Sequence, residues 1–379
     1  MSEEGSVASI GRQIFPVGSV DLAAVKQEPL SHGEWRVSPN FFAMSFGLAG
    51  LAEVWRAAEA PLGTSSLIPD AINVLAAVVW ILLGVGYLRQ GRRRLLADLR
   101  DPVMAPFVSV LVITGMLLAS ALSAFAFGVG RILVALFLAV TILIGGWLTG
   151  QWILSDTPEV SFHPGYFLPT VAGCLVGAFC AAQVHLHAVG EASFGIGVVC
   201  WVLLGSVLLN RLFFRPALPV PLVPTLAIEL APPAVAGIAL FALNGQVASP
   251  LACALGGYAV LMALVQLRFL PLYVKLTFSP GFWAFTFSYA AAATDALLWL
   301  SIKNPAGAAV YAGCVAAAIT VLIVVIGART LHLLVRGGLF PPAQPATGQP
   351  ADSTPGRGVG ESGSASSSPV SVSTNHDKE

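Results

Sequence analysis

Charged residues are scarce in this chain. Asp, Glu, Lys and Arg make up 10% of its 379 residues, against about 25% in an ordinary soluble domain. Hydrophobic residues make up 56%, and the mean hydropathy is +0.82. This composition indicates a polytopic membrane protein. The formal net charge is zero, so the chain lacks the bulk basic character typical of nucleic-acid partners, and none is expected.

Catalytic motifs are missing as well. The sequence has no Walker A segment, no G-x-S-x-G, no H-E-x-x-H and no dinucleotide-binding fingerprint. We therefore expect no enzymatic activity, no ATP-driven pumping and no cofactor. His185 and His187 lie near Glu191, but no third ligand follows at a recognisable spacing, so no metal site is predicted. The cysteines lie in apolar stretches without a C-x-x-C pair, which predicts small buried hydrophobes and no disulfide: Cys174, Cys180, Cys200, Cys253 and Cys314.

Ten apolar segments are long enough to cross a bilayer, which takes about 20 residues per helix. They predict an all-α membrane domain over residues 38–334. Residues 1–37 are polar and form an N-terminal arm rather than a signal peptide. Residues 335–379, rich in Gly, Ser, Pro and Thr, are expected to be a disordered tail. The predicted spans are 38–57, 67–90, 103–126, 129–153, 163–184, 189–214, 219–244, 249–273, 280–300 and 305–334.

Prolines concentrate in the odd-numbered spans. An intramembrane proline frees a carbonyl and kinks the helix, and irregular backbone is not tolerated where it faces lipid. The alternation therefore predicts five helical hairpins around a central pore, with an inner ring of proline-kinked odd helices and an outer ring of even ones. The prolines concerned are Pro39, Pro102, Pro106, Pro164, Pro169, those from Pro219 to Pro233, and Pro280.

Basic residues cluster in the links that follow the even-numbered spans. Lys and Arg favour the cytoplasmic side of a membrane, so these links and, with an even number of spans, both termini are predicted to be cytoplasmic in the inner (plasma) membrane. The opposite side carries only Arg56, Arg131 and Lys303. The cytoplasmic set is Arg89, Arg92, Arg93, Arg94, Arg100, Arg211, Arg215, Arg268, Lys275, Arg329 and Arg336.

Three acidic residues lie in or near spans, where an ionised carboxylate costs about 2.5–3.5 kcal/mol. Glu53 stands near Arg56 at the end of the first span, and pairing at the interface is the favoured interpretation. Glu229 precedes the break at Pro232, where it either solvates freed backbone or faces the lumen. Asp295 is expected in a vestibule toward the outer end of the ninth span.

The ninth span carries a narrow stripe of small residues with one large ring. Small residues let two helices approach closely, but the same stripe could line a narrow pore plugged by Phe287. On its own the stripe favours the packing interpretation. Steps of three or four residues place on this face Pro280, Ala284, Phe287, Ala291, Thr294 and Leu298.

Several stretches resemble motifs of the tellurite-resistance/dicarboxylate transporter family. That family includes bacterial tellurite-resistance protein A, yeast malate and sulfite transporters, and plant guard-cell slow anion channels. The segment from Phe282 to Phe287 resembles the W-[AS]-[FY]-[ST]-F signature, and the resemblance extends over residues 38 to 334. The other matching stretches run from Phe46 to Arg56, Leu99 to Pro102, Pro169 to Gly173 and Pro224 to Pro233.

The resemblance implies five hairpins around a pore, a homotrimer with one pore per subunit, and passage of small anions. It also implies that a phenylalanine on the ninth helix closes the pore. That residue is Phe287, which reverses the preference drawn from the stripe alone. Bacterial members often have an uncharged polar residue where Glu229 stands, so a lumen-facing Glu229 would have to be protonated or paired.

The leading functional hypothesis is a channel-like conductor of small inorganic or organic anions across the lipid bilayer, gated by Phe287. Because the inner helices carry no central Lys or Arg, anion selectivity should be weak and set by pore width, hydroxyl groups and freed backbone. The candidate pore-lining residues are Ser45, Thr114, Ser120, Pro169, Thr225, Glu229, Pro232, Ala284, Ala291 and Thr294.

Two alternatives stay open from the sequence. The first is a proton-coupled transporter of a C4-dicarboxylate, sulfite or tellurite, with Glu229 or Asp295 as the proton carrier. Uphill flux driven by a proton gradient would distinguish it from a channel. The second is a membrane scaffold whose tails bind partners, which would show no anion flux.

Overall fold

The computed structural model describes residues 36–155 and 159–339. Within this range all regular structure is helical and no β-strand occurs, as the apolar spans predict. The predictions for the N-terminal arm and the C-terminal tail fall almost entirely on residues outside the described range.

Eleven α-helices follow one another in the described residues. Ten of them correspond to the predicted spans; α6 and α8 begin about ten residues later than predicted, after irregular turns, and the other ends differ by a few residues. The helices are α1 (Phe42–Leu62), α2 (Leu67–Leu88), α3 (Arg92–Arg100), α4 (Ala105–Leu122), α5 (Phe127–Leu154), α6 (Gly173–Gln183), α7 (His187–Phe214), α8 (Ala231–Asn244), α9 (Pro250–Tyr273), α10 (Ala284–Lys303) and α11 (Ala308–Val335).

Several odd-numbered spans begin with irregular turns, which precede the α-helical part. Proline has no N–H to donate, so the chain adopts looser hydrogen-bonding patterns at these points. Pro169 lies in a π-helical turn and Pro224 inside a long 3₁₀ segment. The entrances are Pro39–Phe41 before α1, Pro164–Tyr166 and Leu168–Ala172 before α6, Val220–Leu230 before α8, and Pro280–Trp283 before α10.

The link between the second and third spans contains the short helix α3, which sequence analysis did not predict. Asp98 anchors it, because its carboxylate accepts a hydrogen bond of 3.0 Å from the Tyr87 hydroxyl and lies 3.7 Å from both Arg36 and Arg94. Burial raises the pKa of Asp98, whereas the Tyr87 hydrogen bond and Arg94 act to lower it. The arginines of this link therefore belong to a structured element.

Nine helices in the described part of the chain are long and apolar enough to cross a membrane. They correspond to the second to tenth predicted spans. The remaining candidate, α1, has 21 residues but carries Glu53, Arg56 and Glu59, and it is not among the nine. The full count of ten spans therefore stays a prediction.

Burial separates these helices into two groups. Among the odd-numbered spans, 78% of the third, 94% of the fifth, 72% of the seventh and 50% of the ninth is buried inside the protein. The even-numbered spans are buried over only 17–28%. Their exposed side chains are mainly Leu, Val, Ile and Phe, which suits contact with hydrocarbon rather than water.

Contacts between helices run in a closed circuit through the odd-numbered spans. α1 contacts α4, α4 contacts α6, α6 contacts α8, α8 contacts α10, and α10 returns to α1. Each of these five also contacts the next spanning helix in the chain, namely α2, α5, α7, α9 or α11. We call the five members of the circuit the inner helices and the other five the outer helices.

The cysteines follow the same division. Cys174 and Cys180 lie on the inner helix α6 and are buried, whereas Cys253 on α9 and Cys314 on α11 are exposed. The prediction that the cysteines are small buried hydrophobes is therefore wrong for Cys253 and Cys314. These two lie on outer helices, where an apolar thiol can face lipid.

Candidate functional site

A small cavity of about 30 Å³ lies where the five inner helices meet. Every inner helix contributes a residue to the cavity wall, and no outer helix does. The lining is Glu53 from α1, Leu117 from α4, Val176 and Phe179 from α6, Val235 and Ile238 from α8, and Phe287, Ala291 and Thr294 from α10. A space of this size can hold about one water molecule, so the centre of the helix circuit is nearly closed.

The cavity wall is apolar except for two side chains. Glu53 supplies the only carboxyl group of the lining. Thr294 supplies a hydroxyl that is buried and has no hydrogen-bond partner among the described residues. Water is therefore held poorly in this space, because aliphatic and aromatic walls offer it few partners.

Phe287 closes one side of the cavity and stacks on a second ring. The centroids of Phe287 and Phe46 lie 3.5 Å apart, with ring planes inclined by 14°. Phe46 is 3% exposed and stands on α1, seven residues before Glu53. This spacing of two helical turns places both side chains on the same face. The two rings therefore come from neighbouring inner helices and form one aromatic contact.

The close contact between α1 and α10 depends on two glycines. A Cβ atom at Gly47 would lie 2.6 Å from the Cβ of Thr286, and one at Gly50 would lie 3.1 Å from a ring carbon of Phe287. Thr286 is fixed in turn, because its hydroxyl donates a 2.7 Å hydrogen bond to the carbonyl of Trp283. The glycines let the Phe287 ring approach α1 far enough to stack on Phe46.

The small-residue stripe of the ninth span makes only part of this helix contact. Phe287, Ala291 and Thr294 from the stripe face the cavity. Phe287 also packs against α1, together with Thr286 and Ala290, which lie one position round the helix. Phe287 therefore belongs both to the contact with α1 and to the cavity wall, whereas Ala291 and Thr294 line the cavity and the rest of the close contact lies on the adjacent face.

Glu53 does not pair with Arg56, contrary to expectation. The Arg56 guanidinium instead donates a 2.9 Å hydrogen bond to Asp70 of α2. The two residues lie three apart on α1 but engage different surroundings, and Glu53 lines the cavity. Glu53 therefore belongs to the candidate site, although it was expected only to pair with Arg56 at the interface.

Neither of the two other acids lies on the cavity wall. Glu229 belongs to the 3₁₀ entrance of α8, and its carboxyl oxygen Oε1 is buried without a partner in the described residues. Asp295 is 3% exposed and packs against Gly237, where an added Cβ would overlap its carboxyl. Asp295 is thus wedged between α10 and α8 and does not lie in an open vestibule.

Of the predicted pore-lining residues, Ala291 and Thr294 line the cavity. Ser45, Thr114 and Thr225 direct their hydroxyls to backbone carbonyls three or four residues earlier, at 3.0, 2.7 and 2.6 Å. The others lie elsewhere on the inner helices or their entrances, and they are Ser120, Pro169, Glu229, Pro232 and Ala284.

Sequence reasoning missed most of the wall. The aliphatic members, together with Phe179, resemble any core side chain in the sequence and carry no distinguishing signal. Phe46 and Glu53 did carry one, because their spacing of seven residues puts an aromatic ring and an acid on one face of α1. Gly50 lies between them on that face.

Residues 36–331 match the family described as SLAC1, voltage-dependent anion channel. The matched range contains the cavity and nearly all eleven helices. The chain belongs to the SLAC1 family. The tellurite resistance protein TehA homolog of Haemophilus influenzae is 27% identical to it over 305 residues, which cover 79% of this chain and 92% of the relative. The family resemblance inferred from the motifs is confirmed, and this SLAC1-family chain is a multi-pass membrane protein.

The Gly47→Ala substitution tests the α1–α10 contact of this SLAC1-family chain. The new methyl group overlaps Thr286, so we expect a loss of about 1–3 kcal/mol in stability, as for overpacking in cores. Thermal unfolding of the purified protein in detergent measures it. Gly146→Ala on α5 is the control, since nothing lies within 4 Å of its added Cβ. Equal melting temperatures for the two variants would contradict the close contact.

Proposed function

We propose that this protein is an anion channel in which Phe287, stacked on Phe46, closes a path through the inner helices. The observation that carries the proposal is the cavity shared by all five inner helices, with Phe287 in its wall. Membership of a family described as voltage-dependent anion channels supports the same function. The permeant species would be small inorganic or organic anions.

An aromatic pair suits the role of a gate. Two rings in van der Waals contact fill a narrow lumen, and an apolar constriction also blocks ions by excluding the water that hydrates them. Phe287 keeps this position without any hydrogen bond of its side chain, so a change of ring orientation breaks no polar contact. Opening then requires only separation of Phe287 from Phe46 and from α1.

We propose ten membrane spans arranged as five hairpins around the path. With 21 residues, α1 is about 30 Å long, which matches the hydrocarbon core of a bilayer. The closed circuit of inner helices and the pairing of each with an outer helix support the hairpin arrangement. Family resemblance supports a homotrimer in which each subunit has its own path.

The absence of Lys and Arg from α4, α6 and α8 points to weak selectivity among anions. Without a fixed positive charge, the ease with which each anion sheds water decides which one passes. Thr294 supplies the hydroxyl nearest the proposed gate, and Ala291 keeps the wall beside it narrow.

A second candidate function is proton-coupled transport of a C4-dicarboxylate, sulfite or tellurite. The observation in its favour is that one buried carboxyl oxygen of Glu229 and one of Asp295 lack a hydrogen-bond partner in the described part of the chain. The Haemophilus relative is named as a tellurite resistance protein, which makes tellurite a substrate worth testing. Uphill uptake under an imposed proton gradient favours this candidate, and its absence favours the channel.

We propose that both termini face the cytoplasm across the plasma membrane, because the basic residues cluster on the links that share their side. In a variant without native cysteines, a cysteine at position 61 should react with an impermeant thiol reagent added outside. A cysteine at position 93, in α3, should react only after the membrane is permeabilised, so that the reagent reaches the cytoplasmic side. The reverse pattern would contradict both the orientation and the even number of spans.

The Phe287→Ala substitution tests the gate. Removing the ring clears the space beside the cavity without disturbing any backbone hydrogen bond, so anion conductance should rise many-fold over the unmodified protein. Planar-bilayer recording with chloride, nitrate and a dicarboxylate measures it, and size-exclusion chromatography checks the oligomer.

Phe285→Ala is the matched control on the same helix. Phe285 is 3% exposed and packs against Tyr273, with ring centroids 4.8 Å apart, away from the cavity. Its loss should cost about 3–5 kcal/mol of stability, as in soluble cores, with no gain in current. A folded Phe287→Ala protein that stays electrically silent with all three anions would remove Phe287 as the principal gate.

A further inference from the structure

Glu53 is the only ionisable side chain on the wall of the central cavity, which it shares with Phe287. The rest of the wall is apolar, except for the hydroxyl of Thr294. Any anion that follows the proposed path must therefore pass Glu53. The state of its proton decides whether the anion meets a neutral group or a negative charge.

Glu53 forms no ion pair within the described residues, although the charge of Arg56 acts on it. Its nearest basic neighbour on α1, Arg56, is bonded to Asp70 of α2, and Glu59 on the same helix adds negative charge. The inner helices α4 and α8 contain no Asp, Glu, His, Lys or Arg. On α6 the facing titratable group is the buried thiol of Cys180.

The remaining neighbours of α1 leave this position unchanged. On α10, Thr294 lines the cavity, whereas Asp295 turns toward Gly237 of α8. On α11, Tyr311 and Cys314 are exposed on the outer face, and Arg329 lies over the ring of Phe278. His332 is three residues beyond Arg329 at the same end of α11. Glu53 therefore lines the cavity without an ion pair among the described residues, and Arg56 is the positive charge that acts on it.

We propose that Glu53 is the proton switch of the conduction path, and that its protonation permits anion passage while its ionisation opposes it. An ionised carboxylate in an apolar space repels a second anion strongly, because little water is present to screen the charge. A neutral carboxyl group instead offers the anion an O–H donor. Acidification therefore increases conduction, and alkalinisation decreases it.

The proposal rests on the proposed anion-channel function, so its test uses the Phe287→Ala protein, in which the path is expected to be open. Anion current is recorded in planar bilayers as the bath pH is lowered stepwise from alkaline to acidic. We expect the Phe287→Ala current to rise several-fold over this series. In alkaline solution the Glu53→Gln/Phe287→Ala protein should already carry a current as large as that of Phe287→Ala in acidic solution. Its current should vary little with pH.

Three controls assign the titration to one residue. Glu59→Gln/Phe287→Ala should retain the full pH dependence, because Glu59 does not line the cavity. Asp295→Asn/Phe287→Ala should retain it as well. If the Glu53→Gln/Phe287→Ala protein does not assemble, Glu53→Ser removes the same titratable group and leaves a smaller side chain. Glu53→Asp preserves a carboxyl group and should preserve the response.

The outcomes separate the switch from the channel itself. If Phe287→Ala does not conduct at any pH, the channel function fails. If Phe287→Ala conducts and its pH dependence survives in both Glu53→Gln and Glu53→Ser, the channel stands and the proton switch is overturned. Loss of the pH dependence in Asp295→Asn alone would likewise overturn the assignment to Glu53.

Discussion

The contact between α1 and α10 is the constraint on which the candidate gate depends. Phe287 reaches Phe46 only because Gly47 and Gly50 present no side chain to α10. In a membrane, apolar side chains gain little by leaving lipid for protein, so close packing of small residues must hold helices together. The backbone approach that stabilises the helix pair therefore also sets the distance between the two rings.

Packing on α10 and closure of the cavity use adjacent faces of one helix. Thr286 and Ala290 lie against α1, while Ala291 and Thr294 border the cavity. Because neighbouring residues point about 100° apart around a helix, one short segment serves both contacts.

Much of the fold could be predicted from the sequence, because hydrophobic length and proline position are local signals. The apolar runs placed the spans within a few residues, and the prolines correctly singled out the odd-numbered spans as the more buried group. The helix α3 escaped prediction because it is short and charged, whereas apolar length located the other helices. Its anchor, Asp98, bonds Tyr87 of another helix, and no local pattern reveals such a pairing.

The candidate site was harder to predict, since it depends on which face each helix turns inward. All faces of a span are apolar in the sequence, so the stripe on the ninth span fitted either packing or a pore. Only the family resemblance favoured Phe287. Glu53 was assigned to Arg56 because the two are close in sequence, yet Arg56 bonds Asp70 of the next helix. Long-range contacts of this kind decide the site.

The most direct test of the account compares thiol accessibility at two adjacent positions of α10. In a background without native cysteines, Ala291→Cys lies on the cavity wall and Ala290→Cys lies against α1. The account predicts that Cys replacing Ala291 reacts slowly with a small water-soluble thiol reagent, and much faster once Phe287 is also replaced by Ala. Cys replacing Ala290 should stay unreactive in both proteins. Equal rates for the 291 position with and without the Phe287 ring would contradict the account.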